Sequence, residues 1–241
     1  MRVALVETDT LWRDAAGNRA RLPALLPAAD AALLPEMAFT GFDVEAGADA
    51  EAEPFLRDLA RGRGMWIVAG AVGAGPTNIA LAVRPDGEVA ARYAKLHPFS
   101  FAGEDRRFRR GDDLPVFDFG GIAAAMLICY DLRFPEAFRE AALKGAELFL
   151  VLANWPARRV DHWRTLLRAR AIENQAHVLG VNRIGRDPHE SYESSSLAVG
   201  PRGEILHEGG GIVEIEAESV RQWRAEFPAL RDARTDRYRL A

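Results

Sequence analysis

Two stretches of this chain leave little choice of setting. Ile122–Cys129 and Glu147–Ala153 are apolar at nearly every position. A strand sends successive side chains to opposite faces, so a strand without a polar face is covered on both. Pro135–Lys144 lies between them and reads as a helix with proline in its first turn. Strand, crossover helix and strand in that order demand a layered α/β fold rather than a bundle or an open hairpin.

The rest of the chain alternates in the same way. Arg2–Glu7, Ala31–Pro35 and Met65–Val72 read as strands, and Ala52–Arg61 as a helix. Asn78–Val83 and Glu88–Tyr93 flank Pro85-Asp86-Gly87 and form a hairpin. Val160, Trp163, Leu167 and Ala171 recur at helical spacing within Arg159–Gln175. His177–Asn182, Ser196–Val199, Glu204–His207 and Ile212–Ile215 are strand-like. Pro201-Arg202-Gly203 turns one pair of them, and Gly209-Gly210-Gly211 reads as a plain hairpin turn. Residues 217–227 suit a helix, and the polar Asp232–Ala241 an arm. No repeat or low-complexity linker divides the 241 residues, so we expect one domain over 1–241 with mixed sheets. Two sheets packed face to face with helices outside would bury the apolar strands. These patterns alone do not separate that arrangement from a doubly wound single sheet.

Charge excludes some partners. The formal net charge is −4 and the pI about 5.8, so no basic field exists to hold nucleic acid or an anionic membrane. Arg106, Arg107, Arg109 and Arg110 are flanked by Glu104, Asp105, Asp112 and Asp113, which reads as a solvated charged loop. One cysteine forms no internal disulfide. The first residues carry charge and lack a leader's apolar run, and no stretch reaches the ~18 apolar residues of a membrane span. We expect a soluble cytoplasmic protein.

That cysteine, Cys129, ends one of the two apolar strands. The following turn, Tyr-Asp-Leu-Arg-Phe-Pro-Glu, exposes whatever stands there. Two other residues also follow strand-like runs: Glu36 in Leu-Leu-Pro-Glu-Met-Ala-Phe-Thr-Gly-Phe, and Lys95 in Tyr-Ala-Lys-Leu-His-Pro-Phe. Taken singly, each has an ordinary reading: a packed thiol, a surface carboxylate, a solvated amine. Together they supply a nucleophile, a base and a cation for an oxyanion, at one edge of a sheet. No Gly-x-Ser-x-Gly elbow competes, and the histidines at 97, 162, 177, 189 and 207 show no metal-ligand spacing.

With Ala-Asn-Trp-Pro (153–156) and Ala-Arg-Ala-Ile-Glu-Asn-Gln (169–175), these stretches resemble the nitrilase (carbon–nitrogen hydrolase) superfamily. The resemblance follows the family's order over almost the whole chain and is nearest the ω-amidase branch. It implies a four-layer αββα sandwich and a homodimer formed through the helices at 135–144 and 159–175. It implies a Glu36-Lys95-Cys129 triad without metal or organic cofactor, and a second active-site glutamate at Glu104. The expected substrate is the terminal amide of a small ω-amide such as α-ketoglutaramate or α-ketosuccinamate. Lys95 and the backbone N–H of Tyr130 would hold the oxyanion, and Lys95 would lower the thiol pKa. For the far carboxylate the nearby cations are Arg133, Arg158 and Arg159. Arg133 has a second reading, tying the turn after Cys129 to an acid. Phe134 and Trp155 are candidate pocket walls, and Glu173 a brace. Other carbon–nitrogen hydrolases (a deaminated-glutathione amidase, an N-carbamoyl amino acid hydrolase, an aliphatic amidase) remain open alternatives. So do a silent interaction protein and a redox thiol.

Overall fold

A computed structural model describes residues 1–234 and 237; most of the arm expected at Asp232–Ala241 lies outside them. The first half of the chain runs β1 (Arg2–Leu5), α1 (Ala15–Leu25), β2 (Ala31–Leu33), α2 (Ala52–Arg63), β3 (Trp66–Gly73), β4 (Thr77–Val83), β5 (Val89–Ala94) and a single turn, α3 (Glu104–Arg107). It continues with β6 (Val116–Asp118), β7 (Ala123–Ile128), α4 (Pro135–Leu143), β8 (Leu148–Ala153), α5 (Val160–Asn174) and β9 (His177–Asn182). The short pair β10 (Gly185–Arg186) and β11 (Ser191–Tyr192) follows, then β12 (Leu197–Val199), β13 (Ile205–Glu208), β14 (Gly211–Glu214) and α6 (Ala217–Glu226).

Two mixed six-stranded sheets result, in the orders β14-β1-β2-β3-β4-β5 and β13-β12-β9-β8-β7-β6. The pleat of the first sheet divides its residues between two cores. Val3, Leu5, Leu33, Val68, Ala82 and Tyr93 face the second sheet and join one cluster with Met126, Ile128 and Leu150. Their neighbours Ala4, Ala32, Ile67, Ala69, Leu81 and Val83 point the other way, against Leu22 of α1 and Leu56, Leu59 and Ala60 of α2. The second sheet is closed by Phe138 of α4 and by Trp163, Leu167 and Ala171 of α5. The layers are therefore helix, sheet, sheet, helix. Gly180 in β9 lets α5 lie close, since a Cβ there would stand 2.6 Å from Leu167.

One expectation changes, and one helix had none. The glycine run at 209–211 does not turn a hairpin: β13 pairs with β12 in one sheet and β14 with β1 in the other, so the run carries the chain between sheets. Helix α1 carries no amphipathic pattern to announce it, with Gly17 near its start and Pro23 inside. The Asp14 side chain caps it by accepting from the Gly17 N–H. Among the described residues no helix is long and apolar enough to cross a membrane.

Candidate active site

The strand directions gather one set of ends. Strands β2 and β3 are parallel, and the antiparallel steps to β4 and β5 bring β5 back to the direction of β2. The carboxyl ends of β2 and β5 and the start of β4 therefore share one edge, which places Glu36, Lys95 and Asn78 together. In the other sheet β7, β8 and β9 are parallel, and Cys129, Asn154 and Arg183 follow their carboxyl ends. The site thus draws on both sheets, not on one sheet edge as expected, and sits where open α/β sheets hold ligands.

Tight turns present the acid and the thiol. Met37, just after Glu36, and Cys129 itself have positive φ, 43° and 46°, which for residues with side chains costs on the order of 1–3 kcal/mol each. Gly70 of β3 makes room for the first turn. A Cβ there would stand 2.5 Å from the Glu36 Cα, and the glycine N–H instead donates to the Pro35 carbonyl at 3.1 Å. Gly111 backs Lys95 in the same manner, donating to its carbonyl at 2.9 Å.

Glu36 and Glu104 are completely buried and Lys95 very nearly so. Lys95 Nζ donates to Glu36 Oε1 at 2.7 Å and to Glu104 Oε2 at 2.9 Å. Asn78 Nδ2 bridges the same two acids at 2.7 and 2.8 Å. The Asn154 N–H donates to Glu36 Oε2 at 3.0 Å, and the Phe99 N–H to Glu104 Oε2 at 2.6 Å. Every carboxylate oxygen thus has a donor, as buried charge requires. Glu104 is no member of a solvated loop: α3 turns it inward, while Asp105, Arg106 and Arg107 stay exposed.

Burial alone would discharge Lys95, but Glu104 and then Glu36 outweigh it and hold its pKa above the usual lysine value. Burial, first, and the Glu36 charge push the Cys129 thiol well above its ordinary range. Lys95 pulls the thiol down, as expected from sequence, but is outweighed. The resting thiol is therefore neutral near pH 7. Moving its proton to Glu36 conserves the net charge of the buried group, two carboxylates and one ammonium, so no additional charge is desolvated in that step.

Several supporting residues carried no signal by themselves in the sequence. Asn78 is one; Asn154, inside Ala-Asn-Trp-Pro, is another. Its Nδ2 also holds the Glu36 carbonyl at 2.8 Å. Asp131, buried two residues after the thiol, accepts from the Ile128 N–H at 2.9 Å, the His97 N–H at 3.0 Å and the Tyr93 hydroxyl at 2.7 Å. It ties the cysteine turn to the lysine segment.

Above the cluster opens a cavity of about 370 Å³, the size of a small-molecule site. Lys95, Cys129 and Asn154 form its floor, and Phe42, Phe99, Tyr130 and Trp155 its walls. Tyr130 stands in the first turn after the strand, where an N–H has no intrahelical acceptor. Phe134 is not a wall: its ring stacks on His97, centroids 3.7 Å apart, away from the cavity. Arg158 lines the rim, but its guanidinium is engaged, with Nε donating to both Glu190 oxygens at 3.0 Å. Arg133 lies over the Trp155 ring at 4.9 Å and meets His162 Nδ1 at 3.3 Å, and among the described residues no acid pairs with it. Glu173 pairs with Arg170 at 3.0 Å, remote from the chemistry.

Residues 2–225 match the carbon–nitrogen hydrolase family. A 2-oxoglutaramate amidase of Bacillus subtilis is 36% identical over 87% of this chain and 87% of its own length. An omega-amidase of Yersinia enterocolitica is 36% identical over 100% of this chain and 98% of its own. The fold is similar to a Xanthomonas campestris CN-hydrolase superfamily protein with an arsenic adduct in its active site, at TM-score 0.92 and 31% identity, covering 100% and 99% of the two chains. It is also similar to a Nesterenkonia amidase variant carrying the acetamide moiety of fluoroacetamide on its active-site cysteine, at TM-score 0.86 and 27% identity, covering 98% and 94%.

Proposed function

The chain belongs to the carbon–nitrogen hydrolase family, and we propose that it is a cysteine-dependent ω-amidase. In this reading one domain spanning residues 1–241 releases ammonia from a small amide such as α-ketoglutaramate, the compound in the name of the Bacillus relative. The observation that carries the reading is the buried Glu36–Lys95–Glu104 cluster, packed beneath a cysteine held at positive φ on the cavity floor.

Substrate binding brings the amide carbonyl carbon to Cys129. Glu36 takes the thiol proton and sulfur attacks. Lys95 and the Tyr130 N–H donate to the oxyanion that forms, one such donor being worth ~3–4 kcal/mol in the transition state. Glu36 returns its proton to the departing nitrogen, ammonia leaves, and a thioester remains on Cys129. Glu36 then activates water, which releases the carboxylic acid and restores the thiol. Glu104 and Asn78 fix Lys95 throughout. The half-exposed Leu143 of α4 and Ile172 of α5 support a homodimer through those helices, and the setting we assign is cytoplasmic.

The test is ammonia release on mixing with α-ketoglutaramate, with glutamine and an N-carbamoyl amino acid as competitors for the assignment. Turnover of the first and not of the others is expected. Near-normal turnover by a folded Cys129→Ser variant would reject the mechanism.

A further inference from the structure

The charges around the cavity do not balance. Arg13 is closed by Asp43, Glu45 by Arg107, and Arg158 by Glu190. Asp187 faces Arg183, and Lys95 is held by its two glutamates. Among the described residues, no acid forms an ion pair with Arg133 or Arg159. Arg133 rests on Trp155 and His162. Arg159 has less still: it lines the cavity half-buried, its guanidinium lies 5.7 Å from the Phe99 ring centroid, and among the described residues no side chain or carbonyl bonds to that guanidinium.

An arginine in that state has lost solvent without gaining a bonded anion. Burial lowers its pKa, the neighbouring Arg158 lowers it further and Arg133 adds to the same effect; the charge of Glu190, already bonded to Arg158, and that of Cys129 oppose the fall without reversing it. A planar carboxylate entering the cavity would relieve all of this, because the guanidinium fork matches it with two parallel hydrogen bonds.

We propose that Arg159 is the specificity-determining residue of the cavity, its guanidinium taking the carboxylate at the far end of the substrate. The inference rests on the amidase reading above. It assigns to Arg159, and to neither neighbouring arginine, the preference of that site for an anionic ω-amide over a neutral amide of equal length, with the amide on the Cys129 floor and the acid under Arg159. Arg158, which precedes the same helix, is excluded because Glu190 already fills its fork.

The test is the ratio of kcat/KM for an anionic ω-amide to that for a neutral amide of the same chain length. In Arg159→Gln that ratio falls roughly 10- to 100-fold, the size of a charge-assisted hydrogen bond, mainly through KM for the anionic substrate. Arg159→Lys restores part of it, because the charge returns without the fork. An unchanged ratio in Arg159→Gln overturns the proposal, whatever the absolute rates do. A second measurement needs no turnover: glutarate is titrated into Cys129→Ala with and without Arg159→Gln. Weaker binding in the double variant supports the assignment, and equal binding overturns it. Wild-type protein that releases ammonia from neither amide refutes the amidase reading instead, and the titration then decides on Arg159 alone.

Discussion

The floor and the rim of the cavity are built from the same kinds of ion pair under opposite conditions. On the floor, Lys95 is 1% exposed and its partners Glu36 and Glu104 are at 0%. At the rim, Arg158 is 53% exposed and Glu190 26%. The rim pair is screened by water and salt, and such pairs contribute about 0–1 kcal/mol. The floor charges cannot be hydrated, so each depends wholly on the others, and removing one leaves an uncompensated charge. Rim charges are replaceable, whereas floor charges hold one geometry. This difference fits a fixed chemical site beneath a selective mouth.

Five substitutions probe the contrast, taken from the largest expected effect down. Cys129→Ala removes the nucleophile. Turnover should fall roughly 10⁴-fold or more, with no thioester detected by mass spectrometry after mixing with substrate and with the unfolding temperature nearly kept. Glu36→Gln keeps the shape but cannot cycle a proton, which should cost ~10²–10⁴-fold in kcat. It carries a pH signature too. The Glu36 charge raises the thiol pKa, so its removal should move the alkylation of Cys129 to lower pH. An unmoved or upward-shifted iodoacetamide profile would contradict the assigned electrostatics.

Lys95→Met leaves two buried carboxylates without a cation and should cost about 3–5 kcal/mol of stability, read by urea unfolding. Gly70→Ala drives a Cβ into the Glu36 backbone, which should displace the acid. A shift near 1 Å costs on the order of 10²-fold in rate, so kcat should drop while the circular dichroism spectrum holds. Arg158→Gln, at the rim, should change stability by less than about 1 kcal/mol. Equal destabilisation by Lys95→Met and Arg158→Gln would erase the distinction between floor and rim.

The chain itself discloses a good part of this. The strands before Glu36 and Cys129 are legible as apolar runs and the one before Lys95 as the second arm of a hairpin, and each of the three residues follows the end of its strand. Glu104 is harder, because its immediate neighbours Asp105, Arg106 and Arg107 are exposed and describe a surface loop; only its inward turn in α3 separates it from them. Asn78 sits mid-hairpin like any polar residue, and no local pattern says that it bridges two acids. Asp131 lies in the turn right after Cys129, yet its bonds reach Tyr93 and His97 across a sequence separation that periodicity does not span. Arg158 and Arg159 are adjacent and chemically identical. Glu190, thirty-two residues away from Arg158, is what distinguishes them.

Local order is a property of neighbours along the chain. Strand and helix periodicity, the cysteine's place at the end of a two-sided apolar strand and the turns after β2 and β7 therefore follow from the amino acids in order. Net charge, pairing and burial of individual side chains depend on atoms brought together from distant segments. Only the tertiary packing decided which glutamate is buried, whether the thiol rests neutral, and which arginines face the cavity without a bonded acid.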